Sequence, residues 1–201
     1  AQQRAPAVPS GSVPSPCALV PFPDDGSDDG VSSAGSRATA YVYFHSHRRG
    51  PFRCFSQFYA SPFFDEDGVA YDCAEQFMMA AKARLFGDAA SLERIMAVGS
   101  QPVEVKRLGR TVANFDRQLW DACCFDVVRH GTFLKFQQNP ILRGILLSTD
   151  DAVIAEASPW DAIWGIGIGI CDAEAGADWE GQNLLGKALM DVRSSLRSDE
   201  G

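Results

Sequence analysis

The chain has 201 residues, a length that suits one domain with a tail, and 46% of them are hydrophobic, enough to build a real core. No apolar run approaches the roughly 20 residues that would span a bilayer; the longest candidate, 163–170, is short and broken by three glycines. A formal net charge of −8 argues against generic binding to nucleic-acid backbone, which relies on Lys and Arg neutralising phosphates.

Residues 1–40 hold six of the eleven prolines, with many Ser, Gly, Ala and Asp and one aromatic, Phe22. This composition predicts a flexible tail, because too little apolar surface is present to offset the entropy of ordering. From Tyr41 the character changes. Tyr41-Val42-Tyr43-Phe44 reads as a short strand, and 62–71 as a hairpin turning at Asp65-Glu66-Asp67-Gly68. Asp72 followed three residues later by Glu75 is a capping-box pattern, so a helix is expected through Phe77, Met78, Ala81 and Leu85, stopping at Gly87.

A second helix is expected over 91–98 and a third from Pro102. A longer one starts after Asp116, with an interruption expected at Gly131, and another opens at Asn139-Pro140 and runs through Leu147. Residues 152–157 read as a strand. The Ile–Gly alternation of 163–170 suggests extended backbone that something approaches closely. The last helix starts near Asn183 and aligns Leu185, Leu189, Val192 and Leu196 on one stripe. The fold class is therefore α+β: a mostly helical single domain over 41–197 with a few short strands, a tail at 1–40 and a short tail at 198–201.

Glu75 and Lys82 are seven residues apart, so they share a helix face about 10 Å apart along its axis. Each also has a plain reading, Glu75 as a capping carboxylate and Lys82 as a surface lysine lying along apolar neighbours. Asp161 stands between Trp160 and Trp164, just ahead of glycines, as in a loop that stacks a planar ring and presents a carboxylate. An ordinary helix cap beside core aromatics fits it equally. Gly181-Gln182-Asn183 opens a helix whose N–H groups suit a phosphate, or forms a simple Asn cap. Arg48, Arg49 and Arg110 are candidate phosphate ligands. Trp120 and Trp164 are candidate stacking partners for a base or nucleotide ring.

His45 and His47 lie at strand spacing, but no acid or cysteine partner stands at metal-ligand spacing, so no metal and no cofactor are expected. His130, beside Gly131, is expected at a helix end offsetting its dipole. The six cysteines form no C-x-x-C pair, and a reduced, cytoplasmic chain is the simpler reading.

Together these segments make a series. Gly50-Pro51-Phe52, Phe55-Ser56-Gln57-Phe58-Tyr59 and Ser61-Pro62-Phe63 open it. Glu75-Gln76-Phe77-Met78-Met79 with Lys82-Ala83, Leu108-Gly109-Arg110, Phe115-Asp116 with Trp120, and Lys135-Phe136 with Gln138-Asn139 follow. Glu156-Ala157-Ser158, Asp161, Trp164-Gly165-Ile166-Gly167 and Gly181-Gln182-Asn183-Leu184-Leu185-Gly186 close it. In this order, over nearly all of 41–197, the chain resembles the NADAR family, also called YbiA-like.

The resemblance implies an α+β domain that hydrolyses ribose N-glycosidic bonds. Its substrates would be ribosylated aminopyrimidine phosphates of riboflavin biosynthesis, or guanine bases carrying ADP-ribose, in nucleotides or nucleic acid. Carried across by motif, the functional positions are Glu75, Lys82, Trp120, Asp161, Trp164 and Asn183, with Gly181, Arg110, Arg48 and Gln57 as further candidates for substrate binding. The chain departs from the family where Asn is usual and Gln57 stands, and where Thr149-Asp150-Asp151 replaces Thr-Gly-Asp. The rival reading is a module that binds ADP-ribose or a related nucleotide without cleaving it.

Overall fold

In the computed structural model, which describes residues 39–198, four short strands and seven helices are present, in the expected order except for an additional helix at Ile170–Glu174. They are β1 (Tyr41–Phe44), β2 (Phe63–Phe64), β3 (Ala70–Tyr71), α1 (Ala74–Leu85), α2 (Ala89–Val98), α3 (Pro102–Gly109), α4 (Arg117–Gln138), α5 (Pro140–Leu147), β4 (Val153–Glu156), α6 (Ile170–Glu174) and α7 (Leu184–Ser198). The architecture is α+β. The expected flexibility of 1–40 falls almost wholly outside the described residues.

β1 and β4 form a parallel pair, Tyr41 opposite Val153 and Phe44 opposite Glu156. β2 and β3 form the small hairpin, closed by Asp65, whose side chain accepts from the amides of Asp67 and Val69. The core lies where α4 packs against α1 and α7, and the leucine stripe of α7 is buried there: Leu185, Leu189, Val192 and Leu196 are all at most 2% exposed. Each such side chain contributes roughly 1.5–3 kcal/mol by leaving water.

Three local expectations change. The α1 cap is set one residue later than the Asp72–Glu75 spacing suggested. Gln76 Oε1 accepts the Asp72 amide (2.8 Å), and its Nε2 donates to the Ile95 carbonyl (3.1 Å). Glu75 is thereby free of capping. Gly131 does not interrupt α4, which is continuous for 22 residues. It sits under the Phe77 ring, where a Cβ would come within 2.5 Å of Cδ1, so its bare backbone lets α1 and α4 approach. His130 is accordingly inside the helix rather than at its end, and pairs with Glu66 (2.9 Å).

The 163–170 segment meets the close approach expected of it, at the backbone of Gly181. It bends around the 180–181 backbone, with the amides of Glu180 and Gly181 both donating to the Ile166 carbonyl, and then enters α6. No helix among the described residues is long and apolar enough to cross a membrane.

Candidate active site

A cavity of about 260 Å³ lies between α1, α3, the 56–58 turn, the end of β4 and the 161–164 loop. Three acids line it: Glu75 from the first turn of α1, Glu156 from the last position of β4, and Asp161. Three cations join them, Lys82 on α1, Lys106 on α3 and Arg110 at its C-terminal cap. Ser56, Gln57, Phe58, Met78, Met79, Val128, Ile163, Trp164 and Leu185 complete the walls.

The backbone holds each acid firmly. The Glu75 amide donates to the Gln57 carbonyl (3.0 Å). Glu156 is clamped on both sides: its amide donates to Asn183 Oδ1 (3.1 Å) and its carbonyl accepts from the Ile166 amide (2.8 Å). Asp161 Oδ1 accepts the amides of Ile163 (3.0 Å) and Trp164 (2.8 Å), which fixes the loop and aims the ring of Trp164 at the cavity wall.

Burial raises the pKa of Glu75 to about 7; Lys106 and Arg110 oppose the rise and Asp161 adds to it. Glu156 is also raised to about 7, first by burial, then by Asp161 and Glu75, with Lys106 opposing. Burial is the first cause for both, and Asp161 raises both, so one cavity holds two carboxyl groups that titrate near neutrality. Groups in that range can serve as acid or base.

Lys82 is held differently. Its ammonium donates to the Gly109 carbonyl (3.0 Å) and lies 4.1 Å from the Phe115 ring centroid and 5.6 Å from that of Trp120. Burial alone lowers its pKa. Sharing a helix face with Glu75 thus does not make it the partner of Glu75; the cations that act on that carboxylate come from α3.

The NADAR domain family matches residues 43–197. The chain belongs to the NADAR family. It is 44% identical to the N-glycosidase R617 of Acanthamoeba polyphaga mimivirus over 161 residues, which is 76% of this chain and 94% of that protein. A 103-residue stretch, 49% of this chain, is 35% identical to 15% of the maize chloroplastic riboflavin biosynthesis protein PYRR. The NMR structure of the Escherichia coli protein YbiA superimposes with a TM-score of 0.67 at 30% identity, covering 82% of this chain and 89% of that one. This family membership makes the chain an N-glycosidase, a hydrolase of N-glycosidic bonds.

Within this NADAR domain, the cavity gathers six of the residues singled out by sequence: Glu75, Lys82, Asp161, Trp164, Arg110 and Gln57. Trp120, Asn183, Gly181, Arg48 and Arg49 stand apart from its walls. Trp120 is buried in the core, 8% exposed, with its ring behind Lys82. Both amide atoms of Asn183 are spent on β4, accepting from Glu156 N and donating to the Ile154 carbonyl (2.9 Å).

Gly181 is crowded by the backbone of 165–167. The amides expected to cradle phosphate at this helix start are already used. Those of Gln182, Asn183, Leu184 and Leu185 donate to the carbonyls of Ala162, Gly165, Ile163 and Trp164. Arg48 is exposed and bonds only its neighbours His47 and Ser46.

Two residues of the cavity were missed. Glu156 was legible as an acid closing the apolar run Val153-Ile154-Ala155, at a position where alternation faces it the same way as buried Ile154. Lys106 stands four residues before Arg110, so one helical turn aligns them, and that spacing was the available signal.

Proposed function

We propose that this NADAR enzyme hydrolyses the N-glycosidic bond of a phosphorylated ribose, with Glu156 and Glu75 as the acid–base pair and Lys106 with Arg110 as the phosphate anchor. The observation that carries the reading is the pair of buried acids, both shifted to about 7, facing two cations aligned on α3. In this reading Glu156, raised by burial, Asp161 and Glu75 against Lys106, carries the proton and donates it to the leaving nitrogen. Glu75 has two cations favouring its carboxylate, which stabilises positive charge developing at the anomeric carbon and takes a proton from the attacking water.

The water oxygen bonds to that carbon as the C–N bond breaks. Base and ribose leave, and the proton gained by Glu75 restores the pair. Trp164 and the apolar walls formed by Met78, Val128 and Leu185 receive the planar base.

A second route is favoured by the lowered pKa of Lys82, which has burial as its only cause. Neutral Lys82 would bond to the anomeric carbon as the base departs with the proton of Glu156. Ring opening then gives an imine that water hydrolyses. Borohydride separates the routes: a sugar adduct trapped on Lys82 supports the imine, and full turnover without an adduct supports the acid–base pair.

The substrate is tested by incubating the full chain with ribosylaminopyrimidine phosphate and with ADP-ribosylated guanine nucleotide, and following base release. Release from either is expected; release from neither, with ligand still bound, would favour a non-catalytic binding module. A cytoplasmic setting is supported by cysteine usage: among the described residues, Cys54, Cys73, Cys124 and Cys171 are free thiols.

A further inference from the structure

α4 buries a cation that the acid–base pair does not use. Lys135 is fully buried, as is Thr132 one turn earlier on the same helix. The Lys135 ammonium donates to the Ser56 carbonyl (2.9 Å) and lies over the rings of Phe136 (5.2 Å) and Tyr59 (5.8 Å). Burial lowers its pKa to about 8, against the opposing effect of the Cys54 and Cys73 thiols. Thr132 Oγ1 accepts from Gln57 Nε2 (3.2 Å). Two buried polar groups of one helix thus hold two consecutive residues of the 56–59 turn.

Taking an ammonium out of water is costly, and an apolar side chain of similar length would fill the space without that cost. The turn does not need the lysine in order to close. Its Ser56 carbonyl also accepts the Tyr59 amide (3.2 Å), and Ser56 Oγ accepts the Phe58 amide (3.2 Å). What Lys135 adds is a tie between the turn and α4. That turn stands at the cavity: Ser56, Gln57 and Phe58 line it, and the Gln57 carbonyl accepts the Glu75 amide (3.0 Å) in the first turn of α1. An unbroken run of contacts therefore leads from α4 through Ser56 and Gln57 to the backbone of Glu75.

We infer that Lys135, together with Thr132, is a positioning residue for the reaction: through the Ser56–Gln57 turn it fixes the Glu75 carboxyl in its buried place at the cavity. This rests on the acid–base reading of Glu75.

Lys135→Met is the variant to test, because methionine fills similar space and the Ser56 carbonyl keeps the Tyr59 amide. Its denaturation midpoint should not fall. On whichever of ribosylaminopyrimidine phosphate and ADP-ribosylated guanine nucleotide the wild type cleaves, kcat should drop about 10–100-fold, the reach of a small misplacement. KM should hold, since the cations of α3 are untouched. In the Glu75→Gln background the same change should cost almost nothing more, because the group it misplaces is already gone. A merely structural lysine would lower both backgrounds alike.

A second readout needs no substrate. With the glutamate carboxyls labelled with carbon-13, and Glu75 assigned through its Gln variant, the NMR titration midpoint of about 7 should fall in Lys135→Met as water reaches the carboxyl, by about one pH unit or more. Thr132→Val should show the same pattern more weakly, and it carries the test should the methionine variant fail to fold. Equal losses in both backgrounds, or an unmoved Glu75 midpoint, would overturn the inference and leave the acid–base reading standing. Full turnover by Glu75→Gln would remove that reading itself, and the inference with it.

Discussion

The two faces of the β1–β4 pair meet opposite surroundings. On one face Val42, Phe44 and Ile154 join the main helical core, and Glu156, next in that alternation, reaches the cavity. On the other face Tyr43 and Ala155 join a small cluster with Ile166, Ala173 and Trp179, while Tyr41 stacks on Tyr43 at the rim. That second face also bounds a pocket with acids, Glu174 and Asp178, but both are exposed and the pocket is open to solvent. The difference teaches that packing which removes water, rather than the mere meeting of acids and aromatics, is what raises a carboxyl pKa.

The sharpest test of that contrast is to neutralise acids on both faces. Glu75→Gln and Glu156→Gln are each expected to lower kcat by about 10²–10⁴-fold, the usual reach of general acid–base catalysis. Glu174→Gln, on the other face, should leave kcat unchanged. Equal losses would mean that the cavity has no special chemistry.

Next in size is the anchor. Lys106→Ala or Arg110→Ala removes a charged hydrogen-bond donor worth about 1.5–3 kcal/mol, so KM for a phosphorylated ribose substrate should rise about 10–100-fold. KM for the unphosphorylated riboside should barely move. A uniform rise for both would place these cations outside the phosphate site.

The helix contact behind the site comes third. Gly131→Ala puts a methyl group into the Phe77 ring and should lower stability by about 1–3 kcal/mol in chemical denaturation. Because Phe77 neighbours Met78 on α1, some loss of turnover should accompany it. An unchanged midpoint would show that α1 and α4 have room to separate.

The last test is in pH. Glu75 and Glu156 have folded pKa values near 7, above their ordinary 4.5. Their contribution to stability is therefore fully present below about 4.5 and lost as pH rises through about 7. The wild type should lose Tm between pH 5 and 7.5 relative to the Glu75→Gln, Glu156→Gln double variant. Parallel curves would show that neither acid is shifted.

The sequence by itself determined the order of the elements other than α6, the leucine stripe of α7, the family, and six of the cavity residues. These rest on spacing along one chain: helix period, turn residues and ordered motifs. Only the tertiary structure decided that Gln76 caps α1 and leaves Glu75 to the cavity, because both spacings fit a helix start and only the Ile95 carbonyl selects between them. It alone joined Glu156 to Glu75 across 81 positions of sequence, and turned the amides after Gly181 from a phosphate cradle into partners of the 162–165 carbonyls. A residue's type and period say which face it takes. Whether its polar atoms are already spent depends on neighbours distant in the chain, and that accounting separates an asparagine spent on the backbone, such as Asn183, from an acid that lines the cavity, such as Glu156.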